Sequence, residues 1–554
     1  MICRIAIAGM LLLTGLTNSL AQQSVLSGRV SSQEEGVMEG VVVRARKTGS
    51  TMTVSVVSDS EGRYHFPAGR LEPGQYAISI RAAGYMLESG SSVAIGEQKN
   101  ASADLRLRKA TIDEKASQLS DAEWLMSMPG TAAQKSALRN CNHCHTFERI
   151  ARSQYDASAV LATIERMARY SPSSFPLLIQ PHPTRRIGAG PATPQSRAGA
   201  AAARERLAEY ISSINLSKSA TWPYELKTLP RPKGKATRVI YTEYDLPART
   251  RQPHDVVVDS QGYAWYASFG EQILGRLDPK TGVVREWPIP VLKPNRNQGV
   301  LDVQLDVDEN VWVGNGFQNA IQMFDRKSEQ WKSYPLPPEF DGDHIELLFL
   351  APKNHKVDGK VWVMNNGEWT IMRVDLATQK WEKFTAFPLP RPNHYQVMSD
   401  SRNNGWFSVM GRNDVGRIDA KTGEITTWQT DLKDSGPRRG MVDAQDRLWT
   451  ALNRTDSVSV LDPKTGKFDL YSTGIPEYYA YDVWIDKHGE AWTATEYADR
   501  VVRINTQTRE AIPYLLPAPT NMRRAHGDNR VKPAHFWVGA THTASIVRLE
   551  PLDQ

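Results

Sequence analysis

A tryptophan recurs seven times in the C-terminal part of the chain, each time followed thirteen residues later by an acidic residue or an asparagine. Trp265 pairs in this way with Asp278, Trp312 with Asp325, Trp362 with Asp375, Trp406 with Asp419, Trp449 with Asp462, Trp492 with Asn505 and Trp537 with Glu550. The copies are spaced 43 to 50 residues apart. A period of that length marks a repeat architecture in which each unit is one supersecondary element. Each copy follows an alternating run such as residues 254–259, and the first six precede another such as residues 284–290. Four short strands per unit make one blade of a β-propeller. The seventh unit lacks its fourth strand, and residues 239–247, just ahead of the first unit, supply one. Residues 236–554 are therefore predicted to form a seven-bladed propeller that closes by joining its two ends, which leaves no open sheet edge.

The other 235 residues divide by composition and period. Residues 1–21 have the three parts of a secretory signal peptide: Arg4 near the start, an apolar run over 5–13, and Ser19-Leu20-Ala21 as a small-x-small cleavage site. No later stretch approaches 18 uninterrupted apolar residues, so the mature chain is expected to be periplasmic with no membrane span. Lys plus Arg (67) nearly balance Asp plus Glu (61), a net +6 that gives no reason to expect a nucleic-acid partner. The chain has three cysteines. Cleavage would remove Cys3 and leave Cys141 and Cys144, too few for a disulfide framework.

Residues 24–108 alternate apolar and polar positions between turn signals and read as a small β-sandwich. Asp59-Ser-Glu-Gly-Arg-Tyr-His-Phe, then Leu71-Glu-Pro-Gly-Gln-Tyr, then Ala83-Gly-Tyr resemble the carboxypeptidase regulatory-like domain. That resemblance implies a prealbumin-like sandwich used as an accessory or contact module. Residues 112–216 switch to helical periodicity, with Ser120, Asp121 and Glu123 as a helix start. Residues 217–235 are a linker with Pro223, Pro230 and Pro232. The expected fold is thus multidomain and mainly β: a β-sandwich, a small all-α domain and a seven-bladed propeller.

Cys141-Asn142-His143-Cys144-His145 is a C-x-x-C-H motif, the attachment signature of haem c, here in the two cysteines left after cleavage. Two thiols three positions apart on one helical turn reach the porphyrin vinyl groups, and the next residue, His145, lies under the iron. A thioredoxin-like redox pair is the rival reading. The helix with Trp124, the motif and a final helix ending at Ile214 resemble class I cytochrome c. The resemblance implies a methionine as distal ligand. Met167 is the one methionine after the motif in this segment, and His182 is the alternative. The basic stretch from Arg185 to Arg206 is a candidate dock for an acidic electron donor or acceptor protein.

Counting eleven residues back from the repeat tryptophans collects His254, Leu301, Tyr395, Arg438, Tyr481 and His526, with Glu346 approximating the third blade and His344 and His394 nearby. The next position adds Asp255, Asp302, Gln396, Arg439 and Asp482. These side chains are predicted to converge on one end of the central channel, with His254, Tyr481, Arg438 and His526 as candidate catalytic residues. The propeller repeats resemble the streptogramin B (virginiamycin B) lyase family, which implies elimination at a lactone ester with a divalent metal such as magnesium. The carry-over is incomplete. His526 matches a family histidine, but Tyr481 stands where another is expected, Arg524 where an acid is expected, and Ala540 and Thr541 where a glutamate is expected.

Three functions follow as expectations. The first is a periplasmic haem protein that transfers electrons and binds or transforms a small molecule on its propeller. The second is a streptogramin-type lyase with a passenger haem. The third is a non-catalytic binding or assembly subunit.

Overall fold

The computed structural model of the chain describes residues 24–96, 100–181, 194–340, 347–365, 370–385, 387–388 and 393–552. The signal peptide, His182, the start of the basic stretch at Arg185, His344 and Glu346 lie outside these residues.

The repeats build a propeller. Six sheets each hold four antiparallel strands in sequence order, beginning with Pro253–Val258, Asp302–Leu305, Leu348–Ala351, His394–Ser399, Pro437–Val442 and Ala480–Ile485. The seventh blade consists of Met522–Asp528, His535–Ala540 and Ser545–Pro551, completed by Val239–Asp245 from the other end of the domain. The closing pair is antiparallel over seven residues, Val239 opposite Pro551 through Asp245 opposite Ser545. All seven repeat tryptophans are buried on their second strands. In five blades the indole N–H donates to the aspartate six residues upstream, as Trp265 does to Asp259 (2.8 Å) and Trp449 to Asp443 (2.9 Å). The residue thirteen after the tryptophan has a different task. Asp325, Asp375, Asp419 and Asn505 each accept two backbone N–H bonds within the turn between the third and fourth strands. The repeat thus encodes a staple and a turn.

The N-terminal sandwich continues the seventh blade. Its strand Met52–Val57 pairs antiparallel with Val239–Asp245, giving one eight-stranded sheet that spans both domains. Val239–Asp245, which would otherwise be the outer edge of the blade, is paired on both sides. Ion pairs line the junction: Arg44 with Glu243, Arg46 with Asp245, and Arg70 with Glu550. Glu550, the one departure from Asp or Asn among the repeat acids, is therefore turned to a contact between domains.

Among the described residues, six α-helices lie between sandwich and propeller: α1 (Ile112–Ala116), α2 (Asp121–Ser127), α3 (Ala132–Arg139), α4 (Phe147–Ala151), α5 (Ala157–Met167) and α6 (Pro194–Ile214). Thr111, Ser120 and Thr131 close capping boxes at the first three. Trp124, Leu125, Phe147 and Ile211 share one buried apolar cluster with Trp449, Tyr478 and Tyr497 of blades five and six. The helices are therefore fastened to the propeller face by a common core.

Candidate functional site

The first strand of each blade runs beside the channel, and its start carries the polar residues. In five blades an extra residue interrupts pairing there, for example between Pro253 and Asp255 and between Pro437 and Gly440. Such bulges re-aim side chains, and consecutive residues serve the channel. His254, Tyr395, Arg438 and Tyr481 stand at equivalent positions, three before the residue opposite the repeat tryptophan. The third blade places Leu348 there. Blade seven breaks the count. His526 lies directly opposite Trp537, whereas Val257 lies opposite Trp265. Three more residues between the first two strands of blade seven shift the register, so Arg523 takes the place equivalent to His254. The His526 ring instead sits against Trp484 (centroids 5.8 Å) and accepts from Val258 N (3.4 Å). Burial, with Arg524 nearby, lowers its pKa to about 4.

The buried residues form one connected network. Arg438 Nη2 donates to Tyr395 Oη (3.0 Å), and Tyr395 Oη lies 2.8 Å from Tyr481 Oη. The Arg438 guanidinium also lies over both rings, 4.6 Å and 3.9 Å from their centroids. Tyr481 Oη faces His254 Nε2 at 3.4 Å, and His254 Nδ1 lies 2.6 Å from Asp255 Oδ1. The carboxylate assigns the ring proton to Nδ1 and leaves Nε2 as acceptor toward the phenol. Burial, reinforced by Arg439, holds the His254 pKa well below its usual value, so the ring is neutral. Arg439, wholly buried, donates to Asp255 Oδ2 (2.8 Å) and lies 3.7 Å from Asp302 Oδ1, which Arg524 approaches at 3.5 Å. Burial and the neighbouring Asp255 push Asp302 up to about 7, and burial raises Asp482 to about 6.

Glu496 joins this network to the helices. Burial opposes its ionisation, but Arg523 (2.5 Å) and Arg438 (3.2 Å) outweigh burial and bring its pKa down to about 2. Its main-chain oxygen accepts from Asn142 Nδ2 (3.4 Å) and Asn521 Nδ2 (3.4 Å). Asn521 also donates to Asn142 O (3.3 Å), and Arg523 Nη2 approaches His143 O (3.5 Å). The two residues between the cysteines are thus seated on the channel rim at blades six and seven. A second foot stands on blade one and its link to blade two. Gln180 donates to Gly270 O (3.0 Å) and Gln298 O (2.9 Å), and Gln252 donates to Ser173 O (2.9 Å).

Counting residues had missed Glu496, Asn521, Arg523 and His542. Glu496 had a signal, being the one charged residue found four after a repeat tryptophan. His542, between the last two strands, packs beside the motif. Burial, then Arg523 and His145, press its pKa down to about 3.

The motif residues fit a covalently attached haem. Cys141 and Cys144 are half-buried and not joined in a disulfide. Burial and the neighbouring Cys144 raise the Cys141 thiol to about 12. His145 Nδ1 lies 3.0 Å from Thr146 O, a bond that places the ring proton on Nδ1 and keeps Nε2 for a metal. Burial lowers the His145 pKa, which favours the neutral ligand form. Met167 stands at the C-terminal end of α5 and is 37% exposed.

Known proteins separate these parts. Residues 25–108 match the carboxypeptidase regulatory-like domain. The propeller is similar to a solved streptogramin B lyase, with 18% identity and a TM-score of 0.50 over 57% of this chain and 99% of the other. That likeness establishes the propeller-like fold alone. Among curated proteins, the Photosystem II assembly lipoprotein Ycf48 of Prochlorococcus marinus (strain MIT 9312) is 24% identical over 103 residues, 19% of this chain and 30% of the relative. Ycf48 of Synechococcus sp. (strain RCC307) is 28% identical over 90 residues, 16% of this chain and 26% of the relative. The chain spans less than a third of the length of these curated relatives. Among the described residues, no helix is long and apolar enough to cross a membrane.

Proposed function

We propose that the chain is a periplasmic c-type haem protein whose propeller channel holds a small molecule next to the haem-bearing helices. The observation that carries this reading is the contact of Asn142 and His143, inside the C-x-x-C-H motif, with Glu496, Asn521 and Arg523 on the channel rim. Cys141 and Cys144 would hold haem c by thioether bonds, and His145 Nε2 and Met167 are the side chains that would ligate its iron. Bound there, the group supplies one-electron transfer.

The chain's own residues supply position and proton traffic. Glu496 holds Arg438 and Arg523 in place, and Arg438 fixes the two tyrosines by ring contact and hydrogen bond. Neutral His254, oriented by Asp255, offers Nε2 as a proton acceptor through Tyr481. A substrate that loses a proton along with an electron suits this line. An electron donor or acceptor protein docks on the basic surface of the helical segment.

The test is expression with haem-maturation machinery, followed by a screen for substrates that reduce the haem bands. Covalent haem in the wild type, lost in Cys141→Ala and Cys144→Ala, is the expected result. A well-folded chain that takes up no haem beside a control cytochrome that does would remove this reading.

The likeness to Ycf48 favours a second reading, a non-catalytic assembly or binding subunit. Stable capture of a single partner protein, with no substrate able to reduce the haem, would select it. A metal-dependent lyase finds less support, because His526 sits apart from His254 and Tyr481.

A further inference from the structure

Arginine side chains here engage carboxylates either through both Nη atoms, as Arg70 does with Glu550, or through the Nε–Nη2 edge. Arg251 binds Glu286 with Nε at 2.7 Å and Nη2 at 2.8 Å, a bidentate fork. Arg44 holds Glu243 by the same two nitrogens. Arg439 differs. Its Nη1 serves Asp255 and Asp302, while its Nε and Nη2, the complete fork edge, are buried and meet no protein acceptor. Arg438 Nε and Arg524 Nε are orphaned in the same channel. Against these four nitrogens, the acidic residues of the network offer one orphaned oxygen, Glu496 Oε2. Buried donors without acceptors are rare and call for a partner. Arg439 also lies over the rings of Phe349 (4.9 Å) and Tyr481 (5.8 Å), so apolar surface adjoins the fork.

We infer that the channel is a binding site for a small organic carboxylate, taken bidentately by the Nε–Nη2 edge of Arg439, with Arg524 beside it and aromatic rings along its body. This rests on the channel being the ligand site proposed above, but not on the haem. A planar carboxylate matches a guanidinium fork, which a lysine ammonium cannot reproduce.

The test is calorimetric titration of the full-length protein as purified, with or without haem, with benzoate, with inorganic phosphate as the non-planar comparison. Saturable benzoate binding is expected, tighter than phosphate, and weakened about tenfold or more in Arg439→Lys and less in Arg524→Gln. Crystals of the wild type soaked in 4-bromobenzoate keep the inference testable if Arg439→Lys does not fold, since the bromine signal belongs beside Phe349 and Arg439. No saturable binding in the wild type, equal binding in both variants, or a bromine peak elsewhere overturns it, and the donors are then met by water. The haem bands score the electron-transfer reading separately. Benzoate binding with a haem that no donor reduces keeps the carboxylate site and removes that reading, whereas a reducible haem without benzoate binding does the reverse.

Discussion

At the scale of residues, the channel is governed by which charges are matched. Glu496 is buried between two guanidiniums and stays ionised, so its removal leaves both arginines uncompensated. Glu496→Gln is expected to lower stability by about 3 kcal/mol in urea denaturation at pH 7. Its pKa is depressed, so its contribution is present above its ordinary value near 4.5 and disappears as pH falls toward about 2. Asp302 works in the opposite sense. Its folded pKa is raised to about 7 from an ordinary 3.8, so between those values the folded chain holds a proton that the unfolded chain has released. Stability therefore falls as pH rises from about 4 to 7, and Asp302→Asn should flatten that part of the profile in denaturant melts at pH 5 and pH 7.5. Neither acid revealed its state in the sequence. Asp302 follows Leu301 in an ordinary strand, and its pKa is raised by burial and then by Asp255, forty-seven positions away in the chain.

At the scale of elements, the blade is a local unit and its logic is legible. In five blades the tryptophan is a core side chain whose one polar atom is met by an aspartate six residues earlier, in the first hairpin of the blade. Asp443 also accepts two backbone N–H bonds in that hairpin, from Gln445 and Arg447. Asp443→Ala therefore leaves the buried Trp449 N–H unpaired and should cost about 2 kcal/mol, read as a shift in urea midpoint with unchanged slope. Counting positions worked where hairpin lengths are equal, which is why His254, Tyr395, Arg438 and Tyr481 fall in one layer. It failed in blade seven, whose longer hairpin moves His526 away from the layer and brings in Arg523. A fixed spacing carries a position through a repeat only while each intervening turn keeps its length.

At the scale of the whole molecule, one sheet joins the sandwich to the closing blade, and one apolar cluster joins the helices to blades five and six. Deleting residues 24–108 strips the partner from Val239–Asp245 and exposes a strand edge next to the closure. The truncated protein is expected to self-associate, seen by light scattering, while the full chain does not. Removing Ser545–Pro551 instead breaks the closure itself and should abolish cooperative unfolding. The sequence by itself determined the repeat, the strand that closes the ring, the N-terminal sandwich and the C-x-x-C-H motif. Each of these is written in local spacing, because strands, turns and motifs are set by near neighbours in the chain. Only the tertiary structure decided that the motif sits on the rim at Glu496 and Arg523, that a second foot rests on blade one, and that the polar ring is buried rather than open to water. Those outcomes depend on contacts between residues up to hundreds of positions apart, where shape and desolvation, and no local period, select the partner.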